Sequence, residues 1–144
     1  MGDVDGVREL LAQGADVNHT TERGAVLHQV VTTKNLEMIR VLIDAGADVN
    51  KLDSYGRTPL GKVVFHPSIS EKKRIQITKV LLDSGASPNI WRRYNGSSED
   101  ESPLIDAVQR KNFELVELLL SHGANVNDLS SKKQLHWILR QTTK

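Results

Sequence analysis

At 144 residues, with 38% hydrophobic and 26% charged residues, the chain has the size and composition of a single globular domain. It contains no cysteine, which excludes disulfides, thiolate metal sites and a thiol nucleophile. No apolar run approaches the ~20 residues that span a bilayer, and no secretory leader pattern opens the chain, so no membrane role is expected and cytosol or nucleus is the default location.

The net charge of +1 conceals a polarised layout. Residues 1–50 carry four Lys/Arg against eight Asp/Glu, residues 51–94 nine against three, and residues 95–144 six against seven. A basic middle between acidic flanks can steer an acidic partner toward itself, or it can simply be solvated charge on the outside of a helical array.

In chain order, the first apolar stripe is Val4, Val7, Leu10 and Leu11, which predicts a helix over 3–12 with Asp3, Asp5, Arg8 and Glu9 on its outer face. Its Leu10-Leu11 pair precedes Gly14-Ala15, and that block then recurs. Leu42-Ile43 precedes Gly46-Ala47, Leu81-Leu82 precedes Gly85-Ala86, and Leu119-Leu120 precedes Gly123-Ala124. Three blocks run on to Val-Asn, ending at Asn18, Asn50 and Asn127, and the fourth runs to Pro88-Asn89. The glycines stand 32, 39 and 38 positions apart, so the unit is a period of ~33 residues lengthened by insertions.

Within a unit, Thr58-Pro59-Leu60 and Ser102-Pro103-Leu104 read as helix starts, a hydroxyl N-cap followed by proline where a missing N–H costs nothing. Phe113, Val116, Leu119 and Leu120 fall on one face of a second helix, which Gly123 ends in a left-handed turn. The unit is therefore helix, turn, helix and extended loop. No unit buries its apolar face alone, and stacking supplies the shared core.

This register divides one domain, 1–144, into a partial repeat at 1–18, full repeats at 19–50, 51–89 and 90–127, and a partial repeat at 128–144. Beginning in mid-repeat is expected of a piece of a longer array. Leu60 to Gly85 spans 25 positions where Leu27 to Gly46 spans 19, placing six extra residues within 65–74, with Ser70 and Glu71 positioned to cap a lengthened second helix. A second insertion lengthens the loop at 90–103, where Asn95-Gly96 signals a tight turn.

Gly56-Arg57-Thr58-Pro59-Leu60 and Val41 through Asn50 resemble the start and end of the ankyrin repeat, and four blocks in register extend the resemblance over nearly the whole chain. It implies an all-α solenoid of stacked helix-turn-helix units with β-hairpin or loop fingers. It also implies structural hydrogen-bonding roles for His28 and His136, because a threonine and a histidine in this family tie neighbouring repeats together. The Thr-Pro-Leu-His tetrad is complete nowhere here: Ala25-Val26-Leu27-His28 lacks Thr-Pro, and Gly61 follows Leu60. A less stable stack is expected, with Gly61 costing about 1 kcal/mol relative to alanine.

No phosphate loop, metalloprotease helix or serine elbow is present, and the histidines fall in different repeats, so neither an enzyme nor a cofactor or metal site is expected. The resemblance implies binding of another protein through finger tips and the concave first-helix face. By register these positions include Tyr55, Arg57, Phe65, His66, Trp91, Arg92, Arg93, Tyr94, Gln109 and Arg110. Trp, Tyr and Arg are the residues enriched at binding hot spots, which singles out the run 91–94. Its arginines suit an acidic or phosphorylated segment. Nucleic acid is not expected as a partner, because the acids flanking the basic middle interrupt any sustained basic face.

Ser97 and Ser98 each have an acid three residues on and are candidate phosphorylation sites able to mask Arg92 and Arg93. Asn18, Asn50 and Asn127 lie eight residues after a leucine, a spacing similar to that of asparagine hydroxylation in this family. A monomer is expected, and the alternative to a binding module is a structural segment of a longer array without its own ligand.

Overall fold

The computed structural model describes residues 3–90 and 102–127. Seven α-helices lie among them: α1 (Val4–Ala12), α2 (Val26–Val30, extended by a 3-10 turn over Val31–Thr33), α3 (Leu36–Asp44), α4 (Pro59–Val64), α5 (Glu71–Asp83), α6 (Pro103–Gln109) and α7 (Phe113–Ser121). Hairpins form from α2 with α3, α4 with α5 and α6 with α7. Between units, first helices stack as α2, α4 and α6, and second helices as α1, α3, α5 and α7.

Side-chain caps start most of these helices. Thr58 and Ser102 accept the N–H groups of Gly61 and Ile105, each followed by proline at the first position. Asn35 and Asn112 do the same for α3 and α7, accepting from Met38 and Leu115. Each second helix ends before a glycine of positive φ, as at Gly46 (φ 91°), where a Cβ would strain the backbone.

The core is one cluster running the length of the stack. Leu27, Val31, Ile39 and Leu42 lead to Leu60, Val63, Val64, Ile77 and Leu81, and then to Leu104, Leu115 and Leu119. A fully buried aliphatic side chain of this kind contributes about 1.5–3 kcal/mol. In contrast, α1 has no fully buried residue, and only its inner face, Val7 and Leu11, packs on the cluster.

A polar ladder fastens one unit to the next. The Asn18 amide donates to the Gly46 carbonyl at 3.0 Å and accepts from Asp48 N at 2.7 Å. Asn50 repeats this with Gly85 and Ser87, and Asn89 with Gly123 and Asn125. These amides satisfy loop groups that helices and strands leave unpaired. Asn18 and Asn50, candidate hydroxylation positions, thus carry a structural duty as well.

The insertion at 65–74 forms a short loop and the extra turn of α5, with Ser70 accepting the N–H of Lys73. Arg74 holds this segment. Only 1% exposed, its guanidinium donates to the carbonyls of Val63, Val64, His66 and Ile69, while Nε pairs with Glu71 at 3.2 Å. A cation at the C-terminal end of α4 satisfies carbonyls that have no intrahelical partner there and complements the helix dipole.

Candidate partner-binding groove

The first finger is a tight hairpin in which β1 (Thr20–Thr21) pairs antiparallel with β2 (Gly24–Ala25). At Gly24 the backbone takes φ 92°, and a Cβ there would stand 2.8 Å from Cβ of Asp53 and 3.0 Å from the His28 ring. Glycine at that position lets the first finger press directly against the second.

Asp53 organises the second finger. Its buried carboxylate accepts from the N–H groups of Tyr55 and Arg57 at 2.9 Å each, and from Arg57 Nε and Nη2 at 3.0 and 2.9 Å. Burial pushes this carboxyl up, but the Arg57 backbone N–H and guanidinium outweigh it and hold Asp53 below the usual carboxylate range. The Arg57 guanidinium, anchored in this way, lies 4.9 Å from the centre of the Tyr55 ring, a cation–π contact.

From beneath, the imidazole of His28 donates through Nε2 to the Arg57 carbonyl at 3.0 Å. His28 is fully buried, and burial followed by the lesser charge effect of Lys62 outweighs its hydrogen bonds and Asp53, lowering its pKa below the ordinary imidazole value. Among the described residues its Nδ1 meets no hydrogen-bond partner in good geometry, although the Lys51 backbone stands close enough to raise its pKa. The structural role expected for His28 is what the geometry has; His136 lies outside the described residues.

Between the two fingers and the concave face of α2 and α4 lies a groove of about 560 Å³, lined by Glu22, Arg23, Gln29, Thr32, Tyr55, Arg57 and Lys62. Arg23, Arg57 and Lys62 line it with one acid, Glu22, and the Asp53 carboxylate bound to Arg57 stands behind them, which leaves an excess of one positive charge. Lys62 has no ion-pair partner among the described residues, since its neighbouring carboxylate, Asp53, is bound to Arg57. Burial and then the Arg57 charge push its ammonium below the usual lysine range, against the pull of Asp53.

Of the expected binding positions, the groove brings together Tyr55 and Arg57. Phe65 and His66 lie instead in the insertion loop; Phe65 is exposed, and His66 Nδ1 accepts from Ser68 N at 3.2 Å. Gln109 is exposed at the end of α6, while Arg110 is tied to Asp106 at 2.6 Å and to Glu71 at 3.4 Å. Trp91, Arg92, Arg93, Tyr94, Ser97 and Ser98 fall outside the described residues. So does the remainder of the 90–103 loop up to residue 101.

Gln29 and Lys62 were not singled out from the sequence, yet the repeat itself carried the signal. Lys62 stands 33 residues after Gln29, and Tyr55 stands 33 after Glu22, so successive units place equivalent positions on the same wall. Asp53 gave a fainter hint, an Asp three residues before Gly56 in a turn.

Profiles described as "Ankyrin repeats (3 copies)" and "Ankyrin repeat" match residues 1–90 and 99–131. Two putative ankyrin repeat proteins of Fowlpox virus (strain NVSL) are 30% and 29% identical over 108 and 131 residues, covering 75% and 90% of this chain. The B-cell lymphoma 3 protein homolog of Mus musculus is 30% identical over 142 residues, covering 76% of this chain. The chain spans 17%, 27% and 30% of the length of these three relatives. Helical hairpins in register, the asparagine ladder and these matches agree: the chain belongs to the ankyrin-repeat family, whose repeats generally serve as protein–protein interaction modules.

Proposed function

We propose that the groove between the first two fingers binds an acidic segment of a partner protein. The observation that carries this reading is Lys62, a cation set in a concave wall near Arg57 with no ion-pair partner among the described residues. A carboxylate or phosphoryl group entering there gains a charge-assisted hydrogen bond in a partly desolvated site. Tyr55, 61% exposed and stacked by Arg57, offers an apolar surface to the backbone of such a segment.

In this reading Trp91, Arg92, Arg93 and Tyr94 also contact the partner, and phosphorylation of Ser97 or Ser98 weakens that contact by adding negative charge. Arg92→Ala with Arg93→Ala then weakens capture without altering the helical melt. Hydroxylation at Asn18, Asn50 or Asn127 belongs to the same proposal, and intact mass after expression in a eukaryotic host reads it directly.

The groove is tested by selecting ligands from a random displayed peptide library. Enrichment of Asp and Glu is expected, with Lys62→Glu weakening the selected peptides at least about tenfold, or 1.4 kcal/mol. Phe113→Ser, on α7 and outside the groove lining, leaves affinity unchanged. Ligands without acidic enrichment, or indifferent to Lys62→Glu, overturn the reading.

A second reading, a structural segment of a longer array, is favoured by α1, which leaves Leu10 57% exposed and has no fully buried residue. Adding a consensus repeat before α1 discriminates. A large rise in melting temperature together with failure to select any peptide supports the spacer.

A further inference from the structure

Lys62 also differs chemically from the other lysines. Lys79 is held by Asp83 at 3.1 Å, Lys51 donates to the Asn18 carbonyl at 3.2 Å, and Lys73 is half-buried in the first turn of α5 outside the groove, while Lys34, Lys72 and Lys111 stand exposed in water. Lys62 alone among the described lysines lines the groove, half-buried and near the Arg57 guanidinium, with its neighbouring carboxylate, Asp53, already bound to Arg57. An amine attacks carbonyl carbon only as the free base, so a lysine needs both access and an environment that disfavours its ammonium. The open groove supplies access, and burial together with Arg57 supplies the second condition.

We propose that Lys62 is an acylation site, whose amine takes an acyl group from an activated carboxyl donor, a thioester or an acyl phosphate. The Nζ lone pair forms the new C–N bond, the C–S or C–O bond of the donor breaks, and the thiolate or phosphate departs with the electron pair. The amine proton passes to solvent, and nothing is oxidised or reduced. The product is a neutral amide on the groove wall. Its regulatory consequence, loss of acidic ligands, rests on the groove reading above; the acylation itself does not.

The test exposes the intact chain to acetyl phosphate, and separately to an S-acetyl thioester, and follows each lysine by peptide mass spectrometry. Lys62 is expected to react at least about threefold faster than exposed Lys72 and Lys111, and its rate to rise at lower pH than that of an ordinary lysine amine. Lys62→Arg, which keeps the charge, removes that fast phase alone. If both donors behave alike, the amine sets the preference; if one donor is preferred at Lys62, that donor class is its source. Equal rates at Lys62, Lys72 and Lys111 overturn the proposal and leave the groove reading intact. Fast acylation in a protein whose acidic ligands ignore Lys62→Glu supports the acylation and overturns the groove reading instead.

Discussion

The Nε2 of His28 lies 3.0 Å from the carbonyl oxygen of Arg57, so a buried side chain of one repeat sets the backbone of the finger that the next repeat presents. Arg57 in turn is fixed by Asp53, and the Tyr55 ring lies against its guanidinium. The groove wall is thus anchored from within the core, and partner binding there does not have to order it first.

Burial of His28, which outweighs this hydrogen bond, makes stability depend on pH. The His28 pKa is lowered on folding, so below the ordinary imidazole value of about 6.5 the unfolded chain binds the proton that the folded chain refuses. The contribution is full above that value and is lost as pH falls through it toward the folded pKa. Thermal midpoints are expected to drop between about pH 7.5 and 5.5, with the slope flattened in His28→Gln. An equal slope in that variant removes His28 from the account.

The missing threonine of the first tetrad can be restored. Ala25 caps α2 without a side-chain hydrogen bond, whereas its counterpart Thr58 accepts Gly61 N at 3.1 Å. A Cβ built at Gly61, the position equivalent to His28, lies 3.5 Å from the Thr58 hydroxyl. Ala25→Thr therefore supplies a cap and brings a hydroxyl beside the orphaned Nδ1 of His28, and is expected to stabilise by about 1 kcal/mol in urea unfolding.

Arg74 is expected to be the most sensitive position of the insertion. Arg74→Met leaves several buried carbonyls unsatisfied and should cost about 3 kcal/mol. Arg74→Lys recovers little of this, because one ammonium cannot reach carbonyls spread around a planar guanidinium. Denaturant midpoints of the two variants measure both statements.

Removing one rung of the ladder should cost less. Asn50→Ala leaves the Gly85 carbonyl and Ser87 N–H to water at a partly exposed site, a loss of about 1–2 kcal/mol. Hydrogen exchange is expected to quicken at Ser87 and its neighbours before it changes in α1.

Periodic features were legible in the sequence because they recur. The Gly-Ala blocks, the caps Thr58 and Ser102, and the start of α5 at Ser70 all follow from residue type and spacing. The direction of a lone side chain does not. Arg74 counts toward the basic middle as a charge, but its helix position aims it inward, so its charge is bound to backbone carbonyls and not offered to a partner. Arg110 is likewise engaged, by Asp106 and Glu71. The groove became visible only when Gln29 and Lys62, 33 residues apart, were brought side by side by stacking of α2 on α4.

The central claim concerns location, and backbone amide NMR tests it most directly. Titrating the labelled chain with a selected acidic peptide is expected to shift amides of Glu22, Arg23, Gln29, Thr32, Tyr55, Arg57 and Lys62, and these shifts should weaken as salt is raised. Shifts confined to the second helices α3, α5 and α7, or unchanged by salt, would contradict the account.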